Sequence, residues 1–208
     1  APARSRRPRA CSDVIAIVDY GGGNVRSLRA ALERCGAEVL VTSDPAAVAG
    51  AERLLVAGQG AAGAAMDALA ATGLDAALRE AAARGVPLLG VCVGLQILFE
   101  ASEEDDATCL GLIPGTVRRL RGAERLPHLG WNDVVPVADH PLAQPAVAYF
   151  AHSYGVETPA AIATTQVDAA SFASVVAHGS VAGAQFHPER SGEAGRDLLR
   201  AFLGWEPA

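Results

Sequence analysis

A chain of 208 residues, half of them apolar, is long enough for one α/β domain with a full core. Its net charge of −6 argues against a nucleic-acid partner held on a basic face. Its 17 basic residues are all arginine, which excludes a lysine nucleophile or Schiff base supplied by this chain.

The chain opens on residues 1–12 with Arg4, Arg6, Arg7 and Arg9, two prolines and no acid. This stretch lacks the apolar segment of a secretory signal. It reads as a disordered tail, or as residues upstream of the natural start. Residues 13–208 read as a single domain without linker or repeat. No apolar run approaches the ~20 residues that span a bilayer. Cys11, Cys35, Cys92 and Cys109 match no zinc spacing and no small disulfide framework. No metal or cofactor is therefore expected, and a reducing cytoplasm is the simplest location.

Val14–Val18 is a continuous apolar run, as in a strand buried on both faces. A glycine loop at 19–24 follows, and it fits either a tight turn or an anion site. Leu28, Ala31, Leu32 and Cys35 then fall at helical spacing over 25–35, with Gly36 as the stop. Strands are predicted over 38–41 and 53–57, a second glycine loop at 58–60, and helices over 63–71 and 74–83. Such alternation predicts a mainly parallel sheet flanked by helices.

Val86–Leu89 begins as a buried strand, turns through Gly90-Val91-Cys92-Val93-Gly94 and is expected to continue as a helix. Gly-x-Cys-x-Gly has the spacing of a nucleophile elbow with Cys in place of Ser. The glycines allow a sharp turn because no Cβ obstructs it. Cys92 is expected to lie exposed at a helix N-terminus, where unpaired N–H groups favour a thiolate. Taken alone, the stretch also fits a buried strand ending in an inert cysteine.

Beyond Ser102 the pattern changes. The acidic run 103–106 reads as a solvated loop. Short strands are expected over 116–120, 133–137, 147–154, 161–167, 172–177 and 181–186, with a hairpin turn at 178–180. An amphipathic helix over 195–202 closes the chain. In an extended segment His187 and Glu189 project to one side, as a base and the carboxylate orienting it would. The acid here follows the histidine, unlike the order in α/β-hydrolases. His140 and His178 read as exposed loop residues.

Gly-Val-Cys-Val-Gly-Leu-Gln with a later Phe-His-Pro-Glu resembles class I (triad) glutamine amidotransferases. Asp19-Tyr20-Gly-Gly-Gly-Asn24, Pro127-His128-Leu-Gly130-Trp131-Asn132 and Tyr149-Phe150-Ala-His152-Ser153-Tyr154 resemble the glutaminase subunits of imidazole glycerol phosphate synthase within that family. The resemblance covers about residues 13–203. It implies a flavodoxin-like α/β fold with a β-rich C-terminal half, and glutamine hydrolysis by Cys92, His187 and Glu189. It places oxyanion donors at Val93 and in the loop of Gly58 and Gln59. It assigns substrate contacts to Gln96, Glu104, His152, Ser153 and Tyr154. It places Asn24, His128, Trp131, Asn132, Tyr149 and Arg190 on the partner interface, with His128 and Trp131 open to a structural role instead. The implied partner is a separate barrel-type cyclase subunit that uses the ammonia to convert PRFAR to imidazole glycerol phosphate and AICAR.

Two departures from the family pattern stand out. The loop after the third strand is Ala57-Gly58-Gln59-Gly60 where the family usually has Pro-Gly-Val-Gly. Loss of proline frees the backbone there. Two usual lysines are Arg125 and Arg190, which keep the charge but change its geometry.

Overall fold

The computed structural model describes residues 14–207. The arginine-rich start, with Cys11, lies outside them. The first half follows the alternation expected from the hydrophobic pattern: β1 (Val14–Val18), α1 (Val25–Arg34), β2 (Glu38–Thr42), α2 (Pro45–Gly50), β3 (Arg53–Gly58), α3 (Ala62–Thr72), α4 (Leu74–Ala83) and β4 (Leu88–Cys92). Hydrophobic spacing locates all of these except α2, which is too short to show a period. Its signal is instead a cap: the Asp44 carboxylate accepts from Ala46 N–H at 3.0 Å, and Pro45 stands at the first helical position.

The second half contains α5 (Val93–Gln96), β5 (Ala101–Ser102), β6 (Ala107–Thr108), β7 (Thr116–Arg119), β8 (His128–Pro136), β9 (Ala146–His152), β10 (Tyr154–Gly155), β11 (Ala161–Val167), β12 (Ala170–His178), β13 (Val181–Ala184) and α6 (Gly192–Leu203). Among the described residues, nine strands form one sheet in the order β2-β1-β3-β4-β13-β12-β11-β8-β9. The first five pair in parallel, and every later pair is antiparallel. A second sheet has the order β10-β7-β5-β6.

Winding direction reverses after β2. Right-handed crossovers therefore place α1 on one face of the sheet and α2, α3 and α4 on the other. β3 and β4 are buried along their whole lengths, which explains their unbroken apolar sequence. Phe99, Phe150, Phe172 and Phe202 are fully buried, each stabilising the core by roughly 1.5–3 kcal/mol. Buried Arg53 donates from Nη1 to the Phe202 and Trp205 carbonyls at 2.7 and 3.0 Å, satisfying acceptors at the end of α6. His140 is not exposed as expected: it is half-buried with its ring 5.6 Å from Trp205. His178 is exposed, at the end of β12.

This order puts β4 between β3 and β13, both parallel to it. Gly58 is in register with Cys92, and Ala184 with Val91. The chain leaves all three strands at the same carboxyl edge, where ligands bind in open α/β sheets.

Glycine packing at this edge generates a stability prediction. A Cβ on Gly94 would run into the Val56 carbonyl, whereas one on Gly50 would meet nothing within 4 Å. Gly94→Ala should lower stability by about 1–3 kcal/mol or more, read as a fall in thermal midpoint. Gly50→Ala should be neutral or slightly stabilising. Equal midpoints for the two variants would contradict the packing described.

Candidate active site

Cys92 ends β4 with φ 56° and ψ −113°, a conformation that non-glycine residues rarely adopt. The surrounding glycines explain how it is held. A Cβ on Gly90 would strike the Gly94 carbonyl, and one on Gly58 would stand 2.7 Å from Val93 Cβ. Gly90, Gly94 and Gly58 therefore serve close backbone approach, and the strain falls on the cysteine itself. Two expectations change here. The elbow helix α5 is one turn, so it contributes local N–H groups and little macrodipole. The Cys92 side chain is enclosed, with the residue 3% exposed, and the route to it is through a cavity.

β13 delivers His187 to the same edge. The segment beyond it is not extended, as the sequence predicts, but turns as a single 3₁₀ turn over Pro188–Arg190. The turn still brings His187 Nδ1 to Glu189 Oε1 at 3.1 Å, leaving Nε2 as the ring nitrogen available to the nearby Cys92. His187 N–H donates to the Tyr149 carbonyl at 2.9 Å. Ser191 Oγ donates to the His187 carbonyl at 2.7 Å and accepts from Tyr149 N–H at 2.9 Å. The base is thus tied to β9 as well as to β13.

Burial disfavours a charged His187, but its hydrogen bonds to Cys92 and Glu189 and the charges of both outweigh that. Together they push its pKa up to about 10. The Glu189 side chain is 1% exposed, and its Oε2 is buried without a hydrogen-bond partner. The imidazole is therefore the principal group neutralising this carboxylate.

A cavity of about 290 Å³ opens onto the sulfur. Cys92, Val93, Gln59, Gln96, Glu104, His152, Ser153, Tyr154, His187 and Glu189 all line it, as do Asn24 and Arg190 from the expected interface set. Gly58 lies beneath it, packed on Val93. Glu104 is less a solvated loop residue than a cap. It accepts from Ala62 N–H at 3.1 Å at the start of α3, and burial raises its pKa. Its neighbour Glu103 pairs with Arg118 at 2.9 Å. Asn24 likewise caps α1, accepting from Ser27 N–H at 3.4 Å.

The remaining interface candidates divide in two. Trp131, Tyr149 and Arg190 form a cluster at the surface: the two rings lie 6.0 Å apart, and the Arg190 guanidinium sits 4.4 Å from the Tyr149 ring centroid. Trp131 is 58% exposed. His128 instead is buried and Asn132 half-buried, because alternation on β8 turns both inward. His128 is therefore not available to a partner.

Two residues at the site escaped sequence reasoning. Gln185 is fully buried, accepts from Gln96 Nε2 at 3.2 Å and donates to Cys92 Sγ at 3.9 Å. Its only signal is its place before Phe186-His187. Tyr20 lies under the loop, with Oη 2.7 Å from where a Gly58 Cβ would stand. That hydroxyl is buried without a partner, and burial, with the nearby Cys92, pushes its pKa up to about 12.

The geometry is one that suits an enclosed thiol beside an oriented base, and comparison with known proteins gives the family. Residues 16–204 match the family of class-I glutamine amidotransferases. The Imidazole glycerol phosphate synthase subunit HisH of Xanthomonas axonopodis pv. citri is 46% identical, with 91% of this chain and 96% of that one covered. The subunit of the same name from Symbiobacterium thermophilum is 48% identical over 92% of each. Among solved structures, a glutamine amidotransferase aligns with TM-score 0.71 at 21% identity, covering 91% of this chain and 96% of its own. PurLQS from Thermotoga maritima also reaches 0.71 at 21% identity, covering 92% and 98%. At that identity the two structures attest the fold, while the family match and the closely similar sequences attest membership. The chain belongs to the class-I glutamine amidotransferases.

Proposed function

We propose that the chain hydrolyses the side-chain amide of glutamine and passes the ammonia to a separate cyclase subunit, which converts PRFAR to imidazole glycerol phosphate and AICAR in histidine biosynthesis. The observation that carries the chemistry is Cys92 and His187 lining one cavity, with His187 held by buried Glu189 and Gln96 on the cavity wall. The partner rests on the curated relatives named above and on the exposed Trp131–Tyr149–Arg190 cluster. No helix among the described residues is long and apolar enough to cross a membrane. A cytoplasmic location is part of the same reading.

His187 draws the proton from Cys92, and the thiolate attacks the amide carbon. The oxyanion needs donors aimed at it, and each such donor is typically worth about 10²–10³ in rate. Val93 N–H at the elbow and a backbone N–H of the loop at Gly58 and Gln59 are assigned this role. The His187 imidazolium protonates departing ammonia, leaving a glutamyl thioester on Cys92. Neutral His187 then activates water to release glutamate.

Substrate orientation follows from hydrogen-bond accounting at Gln96. Its Nε2 spends one proton on the Tyr154 carbonyl at 3.0 Å and the other on Gln185 Oε1 at 3.2 Å. Oε1 is left to face the cavity as an acceptor, and a substrate α-ammonium is the donor that suits it.

Cys92→Ala should abolish glutamate release, and Glu189→Gln should lower kcat by about 10²–10⁴ while the fold remains intact. Full glutamate release from either variant would refute the triad. Because Cys92 and Glu189 raise the pKa of His187 in the free enzyme to about 10, the alkaline fall in kcat/KM should lie well above the ordinary histidine range. An alkaline fall centred near the ordinary histidine pKa of about 6.5 would contradict the assigned geometry. With Ala57 in place of the usual proline, Gln59 just beyond β3 should reach its donor-in state more readily, so the isolated chain should release glutamate. Stimulation by the cyclase subunit should then lie near the low end of the usual allosteric range, about fivefold. Strict dependence on the partner would overturn this.

A further inference from the structure

β8 and β9 run antiparallel with His128 opposite His152, so both rings project from the same face. Four residues along β8, Asn132 projects to that face too. Gly130 between them sits at φ 140°, a backbone conformation that residues with a side chain rarely adopt. Asn132 Nδ2 lies 3.2 Å from His128 Nε2, His128 Nδ1 lies 3.3 Å from His152 Nε2, and His152 Nδ1 lies 2.8 Å from the Tyr154 carbonyl.

These contacts have one consistent direction. Asn132 Oδ1 accepts from Asp133 N–H at 2.8 Å, and Nδ2 also donates to the Gln166 carbonyl at 2.9 Å, so the amide presents a donor to His128. His128 Nε2 must then accept, and its proton sits on Nδ1. His152 Nε2 accepts that proton, and its own Nδ1–H donates to the Tyr154 carbonyl, which can only accept. The same carbonyl takes Gln96 Nε2–H, and Gln96 continues through Gln185 to Cys92 Sγ. An obligate donor at one end and an obligate acceptor at the other leave both rings a single tautomer.

We propose that Asn132, His128 and His152 form a one-way hydrogen-bond relay that fixes the Tyr154 carbonyl and, through it, the orientation of Gln96. They are positioning residues for substrate binding, and they link the strand bearing exposed Trp131 to the glutamine pocket. Both rings are suited to stay neutral. Burial lowers the pKa of His128 against an opposing pull from Asp168. Burial also takes His152 down to about 3, despite its bond to the Tyr154 carbonyl. If the relay lost its direction, an unprotonated nitrogen would face the Tyr154 carbonyl, and the buried Gln96 amide would lose the acceptor that holds it.

The consequence for turnover rests on the reading of Gln96 as a substrate-holding group, but the tautomers can be read without turnover. In the full chain labelled with ¹⁵N-imidazole histidine, NMR near neutral pH should show both His128 and His152 neutral with the proton on Nδ1. A proton on Nε2 of either ring, or a charged ring, would overturn the proposal. The cyclase-bound enzyme then tests the coupling. His128→Phe keeps the stacking partner of Phe150 but donates nothing to His152. It should raise KM for glutamine about tenfold while kcat moves far less. His128→Asn restores a donor where Nδ1 stood and should recover most of that loss. An unchanged KM in His128→Phe, or no rescue by Asn, would overturn the coupling. Absence of glutamine hydrolysis in the unmodified enzyme would refute the proposed function instead and leave the NMR result to judge the relay.

Discussion

The site depends on how closely the elbow backbone approaches the end of β3. Gly58, Gly90 and Gly94 have no room for a Cβ, and the atoms in the way are mostly backbone or the neighbouring Val93 side chain. Nothing in that contact can yield cheaply. It pins α5 against β3 and forces the turn at Cys92 into φ 56°. The same contact sets Val93 and the loop at Gln59 side by side at the sulfur. Backbone strain of this kind costs about 1–3 kcal/mol and persists only where its surroundings over-determine it. Here the buried parallel strands do so.

Around this fixed point the polar groups form a directed arrangement. Glu189 holds one nitrogen of His187, and Cys92 meets the other. Gln185 reaches the sulfur from the neighbouring strand, and Gln96 reaches Gln185. Both amide protons of Gln96 are committed, so the group left over there has only one hydrogen-bonding character. Low local polarity strengthens these bonds and makes any unpaired one costly, which favours a single arrangement.

The parallel first half of the sheet and the pairing of His187 with Glu189 were legible in the sequence for physical reasons. Strands buried on both faces cannot hide their apolar runs, and β1, β3 and β4 show them plainly. Cys92 stood out because close packing demands glycine on either side, and His187 and Glu189 because two residues suffice to juxtapose them. What escaped depends on long-range contact. Glu104 caps a helix begun 42 residues earlier, so its acidic surroundings read as solvent-facing. His128 lay within a stretch that reads as interface, yet alternation along β8 buries it while exposing Trp131. Gln185 carries no local pattern, and Tyr20 stands in a recognisable glycine stretch that does not reveal its place beside Cys92, since only the folded sheet brings either there. The elbow helix ended early because its remaining residues turn into the core, where Ile97, Leu98 and Phe99 are fully buried.

The central claim is that Cys92 forms a covalent bond to the substrate carbonyl carbon with His187 as its base. Mass spectrometry of the full chain, acid-quenched during turnover with glutamine and the cyclase subunit, tests it most directly. The account predicts a glutamyl group on the peptide containing Cys92, lost when the substrate is exhausted and absent in Cys92→Ala. Steady glutamate release with Cys92 unmodified throughout, or with the glutamyl group on another residue, would contradict it.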